Sequence, residues 1–311
     1  MAFLGTPIFA VPALEAVASA GHRIEAVFTQ PDRPKGRGNQ LTASPVKEAA
    51  LRLQLPVHQP ERIRGPENVE LLASMRLDAM VVVGYGQIIP QSIIDLVPLG
   101  IINVHASLLP KYRGAAPIQW AIANGEQRTG VTTMRINAGL DTGDVLQQWE
   151  TAIGREETAP ELSIRLAGAG AGLLLETLQG LAAETLQATP QDHSQATLAP
   201  ILRKEDGLID WQRPAHLIHA RFRGFVPWPG AYTSFRGQTL QIRAAGMIGN
   251  EPTTATPGTI VVKGRRLLVA CGDGSMLEIL ALQQEGRKRV SAEAFLNGQR
   301  LLENERLGAT C

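Results

Sequence analysis

Two cysteines in 311 residues, Cys271 and Cys311, supply neither a disulfide framework nor a metal-ligand set, and both read as reduced, unpaired thiols. No apolar run approaches the roughly 20 residues that a membrane helix requires. The opening Met1-Ala2-Phe3-Leu4 has the pattern of a strand and not the basic, apolar, small-residue order of a secretory signal. These absences lead to the expectation of a cytoplasmic protein with no membrane contact. Gly5-Thr6-Pro7 follows the first apolar stretch but lacks the further glycines of a dinucleotide fingerprint, so a Rossmann-type cofactor site carries little weight. Neither a Ser or Cys nucleophile elbow nor a metal-ligand cluster is present. A net charge of +1 argues against a bulk nucleic-acid binder.

The charge is unevenly placed. Residues 1–200 hold 15 Lys/Arg against 19 Asp/Glu, and residues 201–311 hold 15 against 10. The second part therefore carries a positive excess, which suits either a basic face toward a polyanion or a chance imbalance on solvated faces. One exposed stretch, Gln30-Pro31-Asp32-Arg33-Pro34-Lys35-Gly36-Arg37-Gly38-Asn39, reads as a loop from its Pro and Gly content. It is a solvated connection or a basic finger for phosphate.

Apolar segments alternate with helical periodicity through the first 188 residues, which predicts an α/β fold around a mainly parallel, Rossmann-like sheet. Strands are expected at 2–5, 24–29, 79–83, 101–104, 131–136 and 145–149. Ser44 caps a helix whose first residue is Pro45. The valine run at 81–83 has no polar alternation, as in a strand covered on both faces. A long helix near 161–186 contains Gly168, Gly170 and Gly172, and close packing against the sheet is the expected reason. Residues 189–206 lose periodicity and read as a linker. From 207 to 311 come a helix and five short strands separated by glycine turns, the pattern of a small barrel of the oligonucleotide-binding (OB-like) type.

The most informative stretch is 101–118. Ile101, Ile102 and Val104 mark a buried strand, yet Asn103 and His105 are spliced into its end. Burying an unpaired polar group costs about 1–3 kcal/mol, so both are either partnered or used. Alternation along a strand puts them on one face, and ligands in open parallel sheets collect beyond the carboxyl ends of strands. Asp141, in the loop Gly139-Leu140-Asp141-Thr142-Gly143, is the carboxylate that would meet them. Carboxamide, imidazole and carboxylate suit acyl-type transfer without a covalent intermediate. On spacing alone, a structural polar network explains the same residues.

Asn103-Val104-His105-Ala106-Ser107-Leu108-Leu109-Pro110, with the Gly-Leu-Asp-Thr-Gly loop, closely resembles the folate-dependent formyltransferases. Three more segments point to the branch that acts on methionyl initiator tRNA: Phe28-Thr29-Gln30-Pro31-Asp32-Arg33-Pro34, Arg113-Gly114-Ala115-Ala116-Pro117-Ile118 and Pro227-Trp228-Pro229-Gly230. The likeness covers essentially the whole chain. It implies transfer of the formyl group of 10-formyltetrahydrofolate to the methionyl amino group, for translation initiation, with no metal. It puts Asn103, His105 and Asp141 in catalytic roles, lines the folate site with Ser107, Leu108, Leu109 and Pro110, and sets Arg37 against the tRNA acceptor end. A formyltransferase domain at 1–188, a tRNA-binding OB-like domain at 207–311 and a monomeric state complete the expectation. Formyl transfer to a nucleotide-linked amino sugar and a silent tRNA- or folate-binding module are the competing readings. Members of the family usually carry a few more residues before Phe3-Leu4-Gly5-Thr6-Pro7, so the first strand is expected to be clipped, with doubtful stability at the sheet edge.

Overall fold

The computed structural model describes residues 1–35, 40–248 and 251–308. The chain divides into two compact units. Met1–Pro117, Arg128–Ala152 and Glu161–Pro200 form one; Ile118–Gln127, Ile153–Pro160 and Ile201–Cys311 form the other.

The chain opens with β1 (Ala2–Gly5), α1 (Val11–Ser19), β2 (Ala26–Phe28), β3 (Arg33–Lys35), β4 (Gln40–Thr42), α2 (Pro45–Arg52), β5 (Val57–His58) and α3 (Pro66–Ser74). It continues through β6 (Met80–Val83), α4 (Gln91–Ile94), β7 (Ile101–His105), α5 (Pro117–Ala123), β8 (Arg128–Arg135), β9 (Val145–Ala152) and α6 (Ala159–Ala182). One seven-stranded sheet has the order β5-β2-β1-β6-β7-β8-β9. The strands from β5 to β7 run parallel; β8 runs antiparallel to β7, and β9 antiparallel to β8. β1 lies between β2 and β6, inside the sheet and not at its edge. All four residues of β6 are buried, as its unalternating sequence requires.

β7 is the last parallel strand, and its two faces differ. Val104 packs beneath α6, where a Cβ on Gly170 would stand 3.0 Å from Val104 Cγ1 and 3.3 Å from Val131 Cγ1. Close packing therefore explains Gly170. It does not explain Gly168 or Gly172, at which an added Cβ would meet nothing within 4 Å. The opposite face of β7 is left to Asn103 and His105.

Within the basic stretch, residues 33–35 form a strand where a loop is expected. Arg33–Lys35 and Gln40–Thr42 pair as an antiparallel ladder. Asp32, at its base, accepts from Lys47 Nζ at 2.6 Å and Gln59 Nε2 at 2.7 Å, and the lysine bond holds its carboxyl below the usual carboxylate range. Arg37 lies outside the described residues.

The stretch expected as a linker is shared between the units. Residues 189–200 are hydrogen-bonded into the first: Thr189 and Val145 exchange backbone bonds at 2.8 Å, and Arg113 exchanges them with Thr197 and Ala199 at 2.9 and 2.7 Å. Extended peptide bonded to loop carbonyls has no side-chain periodicity, which is why its sequence reads as unstructured.

The second unit contains α7 (Ala215–Gly224), β10 (Ala231–Phe235), β11 (Gln238–Met247), β12 (Ile260–Lys263), β13 (Arg266–Ala270), β14 (Met276–Gln284), β15 (Val290–Ser291) and α8 (Ala292–Gly298). The five main strands form an antiparallel sheet, β10-β11-β14-β13-β12, with β15 beside β14. Register shifts between Ile242 and Ala245 mark bulges in β11, which bend a sheet, consistent with a small barrel. Trp211, Phe235, Leu277, Ile279 and Phe295 fill its core. Cys271 lies in that core, where burial pushes its thiol up to about 12, so it is a packing group and not a nucleophile. The earlier stretches join this unit through side chains. Arg221 stacks over Trp120 and Phe225, at 5.7 and 4.8 Å from the ring centroids. Arg223 donates to the Gly154 and Glu157 carbonyls at 3.2 and 2.8 Å.

Among the described residues, no helix is long and apolar enough to cross a membrane.

Candidate active site

The carboxyl ends of β1, β6 and β7 lie side by side because these strands are parallel neighbours. The exits of β1 and β2 are tied to that of β6: Thr6 Oγ1 and Gln30 Nε2 donate to the Tyr85 carbonyl at 3.0 and 3.2 Å. The Tyr85 phenol is packed into the apolar cluster with Leu4, Met80 and Ile101. Burial raises its pKa, which keeps it protonated and removes it as a general base.

His105 and Asn103 are both buried at the end of β7. His105 Nε2 stands 2.8 Å from the Tyr112 carbonyl. A carbonyl only accepts, so Nε2 carries the proton. His105 Nδ1 faces Asp141 Oδ2 at 3.7 Å. The same carboxylate oxygen accepts the Gly114 N–H at 2.8 Å. Asn103 makes no side-chain hydrogen bond among the described residues, although its side chain sits on a buried strand. An amide in that position is a donor held open.

The backbone around these groups is unusual. Tyr112 and Asp141 have φ of 61° and 49°, and Gly114 has φ of 119°. For residues other than glycine the left-handed region costs about 1–2 kcal/mol, so neighbouring contacts must hold it. At Gly143 a side chain would run into the Arg135 carbonyl, which makes glycine obligatory beside the aspartate.

The segment after β7 is pinned from β8 and β9. Thr132 Oγ1 donates to the Ser107 carbonyl at 2.7 Å and accepts the Leu109 N–H at 3.1 Å. Gln148 Nε2 donates to the Leu109 carbonyl at 2.8 Å and to Thr132 Oγ1 at 3.1 Å. Ser107 Oγ donates to the Lys111 carbonyl at 2.6 Å. Ser107 and Leu109 are buried, while Leu108 and Pro110 are partly exposed.

His105 and Asp141 are thus brought together, Asn103 shares the His105 face, and Ser107, Leu108, Leu109 and Pro110 form the adjoining turn. Sequence reasoning missed Thr132, Gln148, Arg113 and Gln191. Arg113 and Gln191 are buried and mutually bonded. Two polar side chains separated by 78 positions leave no local pattern, and Gln191 lies in the stretch read as a linker. Among the described residues, no group of three or more His, Cys, Asp or Glu could hold a metal ion.

Residues 1–178 match the family described as "Formyl transferase", and residues 201–300 match "Formyl transferase, C-terminal domain". The methionyl-tRNA formyltransferase of Solibacter usitatus is 64% identical over 308 residues, covering 99% of this chain and 98% of that one. The methionyl-tRNA formyltransferase of Koribacter versatilis is 56% identical over 309 residues, with coverage of 99% and 98%. Among solved structures, an N-formyltransferase of Helicobacter canadensis, in complex with folinic acid and dTDP-3-aminofucose, superposes with a TM-score of 0.67. That protein is 18% identical, covering 91% of this chain and 98% of the other, and shares its fold.

Proposed function

The chain belongs to the formyl transferase family, and from that footing we propose that it transfers the formyl group of 10-formyltetrahydrofolate to the amino group of methionyl initiator tRNA. The product is N-formylmethionyl-tRNA, which places the protein in the cytoplasm with the translation apparatus. The observation that carries the chemistry is at the end of β7: an unbonded carboxamide on a buried strand, beside a histidine whose Nδ1 faces a carboxylate 3.7 Å away. The acceptor is read from the likeness to relatives named for methionyl-tRNA.

The methionyl amine attacks the formyl carbon. A C–N bond forms to the amine, and the carbonyl oxygen becomes an oxyanion. Asn103 Nδ2 donates to that oxygen, an effect worth about 10²–10³ in rate per donor. The carbon–N10 bond of the folate then breaks, the amine gives up a proton and N10 receives one. His105 Nδ1 and the Asp141 carboxylate carry that proton, worth about 10²–10⁴. With Nε2–H committed to the Tyr112 carbonyl, Nδ1 is the ring nitrogen left to exchange a proton with the reacting groups. Ser107 to Pro110 line the folate, their turn held by Thr132 and Gln148.

Arg37 contacts the tRNA acceptor end. Arg203, Lys204 and the run Arg287-Lys288-Arg289 are exposed, and none of their side chains makes an ion pair among the described residues. They supply salt-sensitive phosphate contacts that do not read sequence. Substituting Arg37 with Ala weakens tRNA use and leaves folate binding intact; loss of folate binding instead overturns that division.

The test offers the protein 10-formyltetrahydrofolate with either methionyl initiator tRNA or a nucleotide-linked amino sugar. Formylation of the tRNA is expected. Formylation of the sugar alone overturns the reading.

A further inference from the structure

Asp141 is held by two distinct attachments. Its carboxylate is fixed by the Gly114 N–H. Its main chain is fixed by Gln191, whose Nε2 donates to the Asp141 and Gly143 carbonyls at 2.9 and 2.7 Å. Gln191 is buried, and its Oε1 accepts from Arg113 Nε and Nη2 at 3.2 and 2.6 Å. Arg113 Nη2 also meets His193 Nδ1 at 3.0 Å. A guanidinium has no acceptor and a carbonyl no donor. The amide of Gln191 therefore has one orientation, with oxygen toward Arg113 and nitrogen toward the loop.

Arg113 stands between Tyr112, whose carbonyl orients His105, and Gly114, whose N–H orients Asp141. One three-residue segment thus holds the imidazole and the carboxylate through its backbone. The side chain at its centre reaches, through Gln191, the backbone of the Asp141 loop. That loop includes a left-handed Asp141, a conformation that persists only when its surroundings impose it. Its internal bonds, from Gly139 N and Thr142 Oγ1 to Asn137 Oδ1, do not reach Asp141.

We infer that Gln191, gripped by Arg113, is a positioning residue that sets the separation of Asp141 from His105. The inference rests on the assignment of Asp141 to proton transfer made above.

Gln191→Glu is the sharp variant. It keeps an oxygen for Arg113 and places a second oxygen against two carbonyls that need a donor. Displacement of the loop by about 1 Å is expected to lower kcat for methionyl-tRNA formylation by about 10- to 100-fold, with KM for folate within about twofold. A purely structural role would lower the melting temperature and leave kcat per folded molecule unchanged, and that outcome overturns the inference. Two further readouts separate the causes. Hydrogen exchange at the Gly114 amide should speed up by about tenfold in Gln191→Glu, because its acceptor moves; unchanged exchange overturns the positioning role. In an Asp141→Asn background, adding Gln191→Glu should cost about twofold or less; the full penalty there shows that Gln191 does not act through Asp141. If Asp141→Asn alone keeps full turnover, the proton-transfer assignment falls, and Gly114 exchange still decides whether Gln191 holds the loop. Should Gln191→Glu fail to fold, Gln191→Asn, one methylene shorter, carries the same measurements.

Discussion

The Nε2–H of His105 is donated to the Tyr112 carbonyl at 2.8 Å, which leaves Nδ1 as the nitrogen facing Asp141 across 3.7 Å. That gap is too long for a direct hydrogen bond and leaves the two groups to meet through a reacting proton. The carboxylate meanwhile has a partner of its own, the Gly114 N–H. An asparagine at 141 keeps an acceptor for that N–H, removes the charge and replaces the second oxygen with an amide donor. Asp141→Asn is therefore expected to lower kcat by about 10²–10⁴ and leave the folate dissociation constant unchanged, as measured by single-turnover kinetics beside equilibrium binding. Near-full turnover would remove Asp141 from the proton path.

Asn103 gives a test of a different kind. A structural polar network and an open oxyanion donor differ in what truncation costs. A bonded buried amide stabilises the fold, and its loss leaves partners unsatisfied at about 1–3 kcal/mol. Asn103 has no such partner among the described residues. Asn103→Ala should therefore lower kcat by about 10²–10³ with little change in melting temperature. A large loss of stability with normal turnover of the folded fraction would favour the structural reading.

Much of this site was legible from residues alone, for a physical reason. Strand alternation is strictly local, so Asn103 and His105 on one face and Val104 on the other could be read from five residues. The Ser44 cap was equally local, and its side chain accepts the Lys47 N–H at 3.0 Å. What local patterns cannot carry is pairing across the chain. Gln191 reaches Arg113 over 78 positions. The assignment of Ile118–Gln127 and Ile153–Pro160 to the second unit depends on Arg221 and Arg223 finding Trp120, Gly154 and Glu157. Neither leaves a period in the sequence, and the boundaries read from composition missed both.

The turn we propose lines the folate depends on one hydroxyl. Thr132 Oγ1 bonds the Ser107 carbonyl, the Leu109 N–H and Gln148. Thr132→Val removes all three at nearly constant volume and leaves buried groups unpaired, a loss of about 1–3 kcal/mol. Thermal denaturation should show lower stability, and initial-rate kinetics should show a higher KM for folate. An unchanged KM would detach this turn from folate binding.

Acid stability should be set in part by His219 in the second unit. Its ring is buried and its Nε2 lies 3.3 Å from Glu156 Oε2. Burial, outweighing the attraction of Glu156 and aided by the Arg223 charge, lowers its pKa from the ordinary 6.5. The unfolded chain therefore takes up the proton at a higher pH than the folded one. Stability contributed by the neutral ring is present above about 6.5 and is lost as pH falls from there toward the folded pKa. His219→Gln should flatten the melting temperature between about pH 7 and 5. An unaltered slope would assign the acid sensitivity elsewhere.

The most direct test is the mass of the aminoacyl group itself. Methionyl initiator tRNA is incubated with 10-formyltetrahydrofolate and the protein, the terminal aminoacyl-adenosine is released with nuclease, and its mass is measured. The account predicts a gain of one formyl group on methionine with the wild-type chain and almost none with Asn103→Ala or Asp141→Asn. An unmodified methionine with the wild-type chain, or equal formylation by all three proteins, would contradict it.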